Sequence, residues 1–481
     1  MGGVIEDPAA EQHGLKRALG PVHLISLGIG AVIGAGIFVI TGHAAASYAG
    51  PGVVISFAIA GLGCLFAGLC YAEFASLIPV AGSAYTYAYA TMGRFMAWFI
   101  GWDLMLEYLA AGSTVAVGWS GYFLSFLHQF GLTLPQVLTN APLAGTGFEA
   151  LHLTGAIVNL PAVLLIVGLT VFLLTGIRES AKFNDLMVFI KVGIVILVIA
   201  FGIWFVRPAN LTPFIPPNAG HWGHFGISGV LAASGIIFFS FVGFESVSVA
   251  AQEAKNPRRD LPIGILGSLA VCTVLYMLMA LVLTGITDWR TLDVANPVSF
   301  AVSKIPALRW LMLPIDVGAI VGLASVTFVS LYGQSRIFYA MARDGFLPPA
   351  FSKVHPRLRI PHTGTIITSI AAALLAAIFP LDILAELVSV GTLLAFIAVC
   401  VGVMILRVTV PHARRQFRIP LVWFVAPAGT IVCAGMMASL FFSSPDTFGR
   451  LVAWTAIGLA IYFVYGVHHA APWKWTVKDG D

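Results

Sequence analysis

Several ionisable side chains sit inside long apolar runs, and these are the first residues of the chain that could do chemistry. Lys191 lies within Phe189-Ile190-Lys191-Val192-Gly193, Asp103 and Glu107 share one run one helical turn apart, and Glu245 ends the stretch Phe238-Phe239-Ser240-Phe241-Val242-Gly243-Phe244. A charge at mid-bilayer depth costs about 2.5–3.5 kcal/mol on insertion scales, so each is a functional candidate unless packing accounts for it. Lys191 is too far from the polar flank at Lys182 to snorkel easily, about 13 Å along a helix. It can therefore serve as a site that gains and loses a proton, or as a fixed tether to backbone carbonyls. Glu107 can favour a basic ligand, line a proton path, or hold its helix in a bundle, whereas Asp103 reads as structural. Glu245 can stabilise neighbouring backbone N–H groups or titrate. Glu73, beside Tyr71, reads as an interfacial charge or as an inner-gate partner of Arg94, Arg336 or Arg343. Ser325, Thr327 and Ser330 either bond back to carbonyls of their own helix or border a pocket. The histidines, His43, His221 and His224 among them, fall at run ends or in loops, without metal-ligand spacing.

Two elements must position these groups, and both carry helix-breaking residues. Gly28, Gly30, Gly34 and Gly36 fall within nine residues, about 14 positions after Pro21. Each interior glycine costs a helix about 1 kcal/mol relative to alanine. Taken alone the cluster fits close helix packing equally well. A serine, a glycine and an acid likewise interrupt the aromatic run 235–245. Unwound backbone at membrane depth survives only where it lines a cavity or is buried in protein. Matched breaks in two repeats of opposite orientation mark a midplane site: half-helix amino ends attract a carboxylate, and free carbonyls accept from an ammonium. A zwitterionic α-amino acid satisfies both.

Composition sets the frame. Of 481 residues 59% are hydrophobic and 10% charged, with mean hydropathy +0.94, against roughly 25% charged in soluble domains. Apolar runs of bilayer length are expected at about 21–49, 51–78, 94–128, 155–176, 183–206, 224–252, 262–287, 313–343, 363–380, 382–406, 419–442 and 447–468, joined by polar loops at 129–153 and 288–312. With both ends cytoplasmic, Arg207, Arg290, Lys304, Arg309 and Arg450 fall outside and Lys191 within a span, leaving nineteen of 25 basic residues inside, as the positive-inside rule requires. Residues 1–20 form a polar cytoplasmic segment without the apolar core of a cleavable signal, and residues 469–481 a cytoplasmic tail. The five cysteines all lie in apolar runs and read as packing residues.

Gly14-Leu15-Lys16-Arg17, residues 28–38, Cys70-Tyr71-Ala72-Glu73, residues 79–87, Gly101-Trp102-Asp103-Leu104, residues 255–262, Gly333-Gln334-Ser335-Arg336 and residues 341–345 are very similar to the cationic amino acid transporter family, within the amino acid–polyamine–organocation superfamily. The resemblance runs from residue 14 to about 420. It implies an all-α membrane protein of twelve helices with a leucine-transporter-type five-plus-five inverted repeat, 21–206 and 224–406, followed by helices 11 and 12 at 419–468. It implies a substrate site between discontinuous helices 1 and 6. N–H groups at Gly34, Ala35, Gly36 and Ile37 would hold a carboxylate, and carbonyls at Val32, Phe239, Ser240 and Val242 an ammonium. Phe239 would be an aromatic gate, and Glu107 and Ser330 would border the substrate. Lys191 would stand where sodium sits in sodium-coupled relatives, making the proton the coupling ion with no sodium requirement. Glu107 and Glu245 are further proton candidates. Ala35 departs from the hydroxyl residue many superfamily members carry.

The expected activity is proton-coupled symport of small neutral or cationic L-amino acids across the cytoplasmic membrane by alternating access. An exchanger or uniporter with Lys191 as a mere tether remains the nearest alternative, and a channel or membrane scaffold the more distant one. The partners expected are the substrate and the bilayer, with a sterol-like or other bound lipid and a small single-span membrane protein left open, and no nucleic acid. No zinc-protease, nucleophile-turn or phosphate-loop motif marks an enzyme.

Overall fold

A computed structural model describes residues 19–77, 83–145, 151–175, 181–245, 247, 254–355, 360–412, 415 and 417–470. Residues 14–17 and 79–82 of the family-like segments lie outside these, as do Arg178, Arg357, Arg359, Arg414 and nearly all of both terminal segments.

The described residues are mostly helical. The helices are α1 (Pro21–Val32), α2 (Thr41–Ala44), α3 (Val53–Leu77), α4 (Ser83–Met92), α5 (Arg94–Gln129), α6 (Leu160–Leu174), α7 (Ala181–Gly202), α8 (Gly226–Ile237), α9 (Pro257–Ile286), α10 (Pro297–Ser303), α11 (Met312–Arg343), α12 (His362–Ile378), α13 (Leu381–Thr409), α14 (Val422–Ser443) and α15 (Pro445–Ile461). Seven helical stretches among the described residues are long and apolar enough to cross a membrane, and Pro21–Val32, Leu160–Leu174, Gly226–Phe241 and His362–Ile378 are shorter apolar helices. The 36-residue α5, about 54 Å long, carries Asp103 and Glu107. Large apolar side chains such as Phe189, Trp204, Leu421 and Val464 point outward and are mostly exposed, the surface expected where lipid is the solvent. This is a multi-pass helical membrane protein.

Both interrupted helices do break. α1 stops at Val32, Ile33 is extended (φ −72°, ψ 106°), and a π-helical turn spans Gly36–Ile40. α8 passes into a tight turn at Phe238–Phe241, and Gly243 then takes φ +118°. α5 packs along α11 and α13, while α1 lies against α9 and α7. The first broken helix thus packs on α9 and α7, and the tight turn of the second on α13 and α3.

Three local expectations need correction. The stretch 288–312 is not a plain loop: it holds α10, opened by Pro297 at the position where a missing N–H costs nothing, and a tight helical turn at Pro306–Leu311. The link between the second and third spans holds α4. The seventh span starts at Pro257 rather than 262, because Asp260 reaches back to the Asn256 N–H at 3.0 Å and caps the first turn. In the stretch 129–153, a two-residue antiparallel ladder pairs Leu143 with Leu153 and Ala144 with His152, a small β exception to an all-α chain.

Candidate functional site

Breaking a helix frees carbonyls on one side and N–H groups on the other, and inside a membrane each needs a partner. On the carbonyl side of the first break the partners are side chains. Lys191 Nζ donates to Gly30 O at 2.9 Å and to Ile33 O at 3.3 Å. The Tyr276 hydroxyl lies 2.9 Å from Val32 O and 2.8 Å from Ser240 O, so one phenol spans both breaks. The Lys191 stem reaches this point across Gly322, where an added Cβ would come within 3.0 Å of its Cγ. Lys191 is 1% exposed. The second break is held by Glu245, whose carboxylate accepts the Gly243 N–H at 2.9 Å, and by Ser389, which donates to Ile236 O at 2.8 Å.

Between the breaks is a cavity of about 50 Å³. Its lining includes Val32, Gly34, Ala35, Gly36, Glu107, Phe239, Val242, Glu245 and Ser330. The amino end of the segment after the first break therefore faces the cavity, where N–H groups and the positive end of a helix dipole are available to an anion. Ile37 and Ser240 stand behind this lining: Ile37 is fully buried, and the Ser240 carbonyl is engaged by Tyr276. Lys191 is likewise outside the cavity, on the far side of the unwound backbone. Sequence reasoning missed Ala31, Tyr108, Ala111, Gly243, Val326 and Val329 in the lining, and Tyr276 behind it. Tyr276 could have been found only as a polar tip within an apolar run.

Glu107 Oε2 finds no hydrogen-bond partner among the described residues, nor does either carboxylate oxygen of Asp103, one turn away. Among the described residues no hydrogen bond accounts for the structural role expected of Asp103. Thr327 and Ser330 bond back to Leu323 O and Val326 O, both at 3.0 Å. Below the cavity Tyr71 meets Phe244 and Phe396 edge-on, with ring centroids 5.7 and 5.4 Å apart.

Glu73 is neither a simple interfacial charge nor a partner of Arg94, Arg336 or Arg343. It is 1% exposed and lies 2.6 Å from Arg407 Nη2 and 3.0 Å from Arg415 Nε. The Oε2 that faces Arg407 also accepts the Ile419 N–H at 2.9 Å. The reason is topological: α13 ends beside α3 with Arg407 in its last turn, and Arg415, in the segment after that helix, reaches the same carboxylate. Arg94 instead donates to Ala470 O, and Arg343 lies 3.9 Å from Asp344.

Comparison with known proteins shows the family. The family model described as "Amino acid permease" matches residues 19–465. The chain is 44% identical over 457 residues to a methylthioribose transporter of Bacillus subtilis, covering 95% of each chain. It is 45% identical over 457 residues to a branched-chain amino acid permease of the same organism, covering 95% of this chain and 94% of that one. It is 38% identical over 399 residues to the vacuolar cationic amino acid transporter 4 of Arabidopsis thaliana, covering 83% of this chain and 64% of that one. The chain belongs to the amino acid permease family of membrane transporters, within the amino acid–polyamine–organocation superfamily.

Proposed function

We propose that this protein carries small L-amino acids into the cell together with protons, through twelve membrane spans arranged as two inverted five-helix repeats with both termini in the cytoplasm. The observation that carries the reading is the facing pair of helix breaks around a cavity lined by Gly34, Ala35 and Gly36 on one side and Phe239 and Val242 on the other. The substrate carboxylate meets the N–H groups of the first break, and its ammonium meets carbonyls of both breaks and the Glu107 and Glu245 carboxyls. Phe239 closes over it. Lys191 binds carbonyls that must move when the first break moves, so its proton is the one exchanged with the cycle, and sodium is not required.

Cavity size favours a small side chain. About 50 Å³ of this kind of volume holds about three to five waters, close to the heavy-atom count of alanine and well short of arginine. The relatives' names span branched-chain and cationic amino acids and a thiosugar. Methylthioribose has neither carboxylate nor ammonium, so it would leave both halves of this site unused.

The test is uptake of labelled L-alanine, L-leucine, L-arginine and methylthioribose into sodium-free proteoliposomes, with and without an inward proton gradient at fixed membrane potential. Gradient-driven accumulation of alanine, lost in Lys191→Ala, is the expected result. Full pH-driven uptake in Lys191→Ala would reduce Lys191 to a tether. Alanine uptake that never exceeds equilibrium would make the protein an exchanger or facilitator, and preference for methylthioribose would overturn the amino acid reading.

A further inference from the structure

On the face opposite Glu73, three residues from three separate elements meet. His43 Nδ1 lies 3.0 Å from Asp293 Oδ1 and 3.3 Å from Asp382 Oδ1, and the three donor atoms all lie within 4.8 Å of one another. We propose that His43, Asp293 and Asp382 form a binding site for a divalent transition metal, with zinc the best fit.

Zinc binds imidazole nitrogen and carboxylate oxygen at about 2.0–2.2 Å in tetrahedral geometry, which separates neighbouring donor atoms by about 3.3 Å. The observed spacing is close to that, and the third position is within a side-chain rotation of it. One imidazole and two carboxylates leave a fourth position open to water. The nitrogen donor selects against calcium and magnesium, which take oxygen ligands. The His43 side chain is 6% exposed, with Nδ1 turned into the cluster, and its Nε2 finds no hydrogen-bond partner among the described residues. The buried ring's polar contacts there are thus with the two acids alone. The Asp293 and Asp382 side chains are 53% and 30% exposed, giving an ion an entry path from solvent. Ser47 Oγ donates to Asp293 Oδ2 at 3.4 Å and orients it, the kind of outer contact that tunes metal ligands. Glu386, one turn after Asp382, is not a ligand. It accepts from Ser444 at 2.7 Å and from Thr447, and lies 3.4 Å from Arg450.

His43 follows the first break, Asp293 precedes α10, and Asp382 opens α13. An ion here clips the half-helix after the break to two other elements. It therefore slows any cycle in which that half-helix moves, a consequence that rests on the transport reading, whereas binding itself does not.

The experiment uses the full-length protein stripped with a chelator and titrated with zinc alone by calorimetry in detergent, followed by uptake with zinc on either side of the vesicle. About one zinc per chain is expected, weakened at least about tenfold in Asp293→Asn and in His43→Gln and unchanged in His221→Gln, a surface control. Asp293 is half exposed, so its variant remains informative if His43→Gln fails to fold. Absence of stoichiometric binding to the unmodified protein, or equal affinity in Asp293→Asn, overturns the site. Binding at the expected stoichiometry without any effect on uptake upholds the site and removes only the clip.

Discussion

At the scale of single residues, the site depends on side chains that stand in for missing helical hydrogen bonds. Lys191 and Tyr276 together take carbonyls of Gly30, Val32, Ile33 and Ser240. Replacing one partner of a buried bond leaves the other to carry a desolvation cost of about 1–3 kcal/mol. Tyr276→Phe keeps the ring and its packing on Phe57 and Phe241 while freeing two carbonyls at once. Substrate affinity is expected to fall about five- to hundredfold with folding retained, read by equilibrium binding of the labelled substrate and by size-exclusion profile. Unchanged affinity would show that the two breaks hold their spacing without the phenol. Lys191 was legible in the sequence because a charge deep inside an apolar run needs a partner, whether as a tether or as a proton site. Tyr276 was not, since a tyrosine between leucine and methionine differs little from its apolar neighbours. Glu73 was legible as a charge at a span end, but neither its burial nor its pairing was: its partner Arg407 is 334 positions away, and no local periodicity links them.

At the scale of elements, the breaks were legible and their surroundings less so. Glycine density announced the first break, and the mixed polar residues of 240–245 the second, because both signals act through local helix propensity. The α4 and α10 helices gave no such signal: they are ten and seven residues long, too short for periodicity to separate them from loop. What the sequence could not convey is how tightly the breaks fit each other. Gly243 sits at φ +118°, and a Cβ there would come within 2.7 Å of the Ala31 carbonyl. A Cβ on Gly36 would collide with the Ser240 Cα and Cβ. Backbone meets backbone at both points, so neither collision is relieved by a side-chain rotation. Gly243→Ala is expected to impose about 1–3 kcal/mol of strain at the cavity wall and to reduce uptake about five- to hundredfold. Gly193→Ala, where nothing lies within 4 Å, is the matching control and leaves uptake intact. Uptake at the unmodified rate in Gly243→Ala would mean that the second break rearranges freely and that the narrow gap is not part of the site.

At the scale of the whole molecule, the accessibility of His43 follows from which face meets the cytoplasm. Charge provides the physical reason: basic side chains near span ends stay on the side where the chain is made. Arg407 ends α13 beside Glu73 and Arg450 lies beside Glu386; on the proposed topology Arg94 and Arg343 share the first face and Arg290 the second. Each face is a surface that an added thiol can report. The five native cysteines are all buried, so the unmodified protein should give little background with a charged maleimide. Arg290 and Arg343 side chains are both 65% exposed, and neither lines the cavity. Arg290→Cys should therefore react in intact cells, and Arg343→Cys only after the membrane is opened. The reverse pattern would invert the protein and make the His43 face cytoplasmic. Reaction of both in intact cells would put an even number of spans between residues 290 and 343 in place of the single one proposed, which would break the inverted repeat as well as the orientation. The labelling thus tests together what hydropathy made legible, the succession of spans, and what only the charge asymmetry conveyed, their direction.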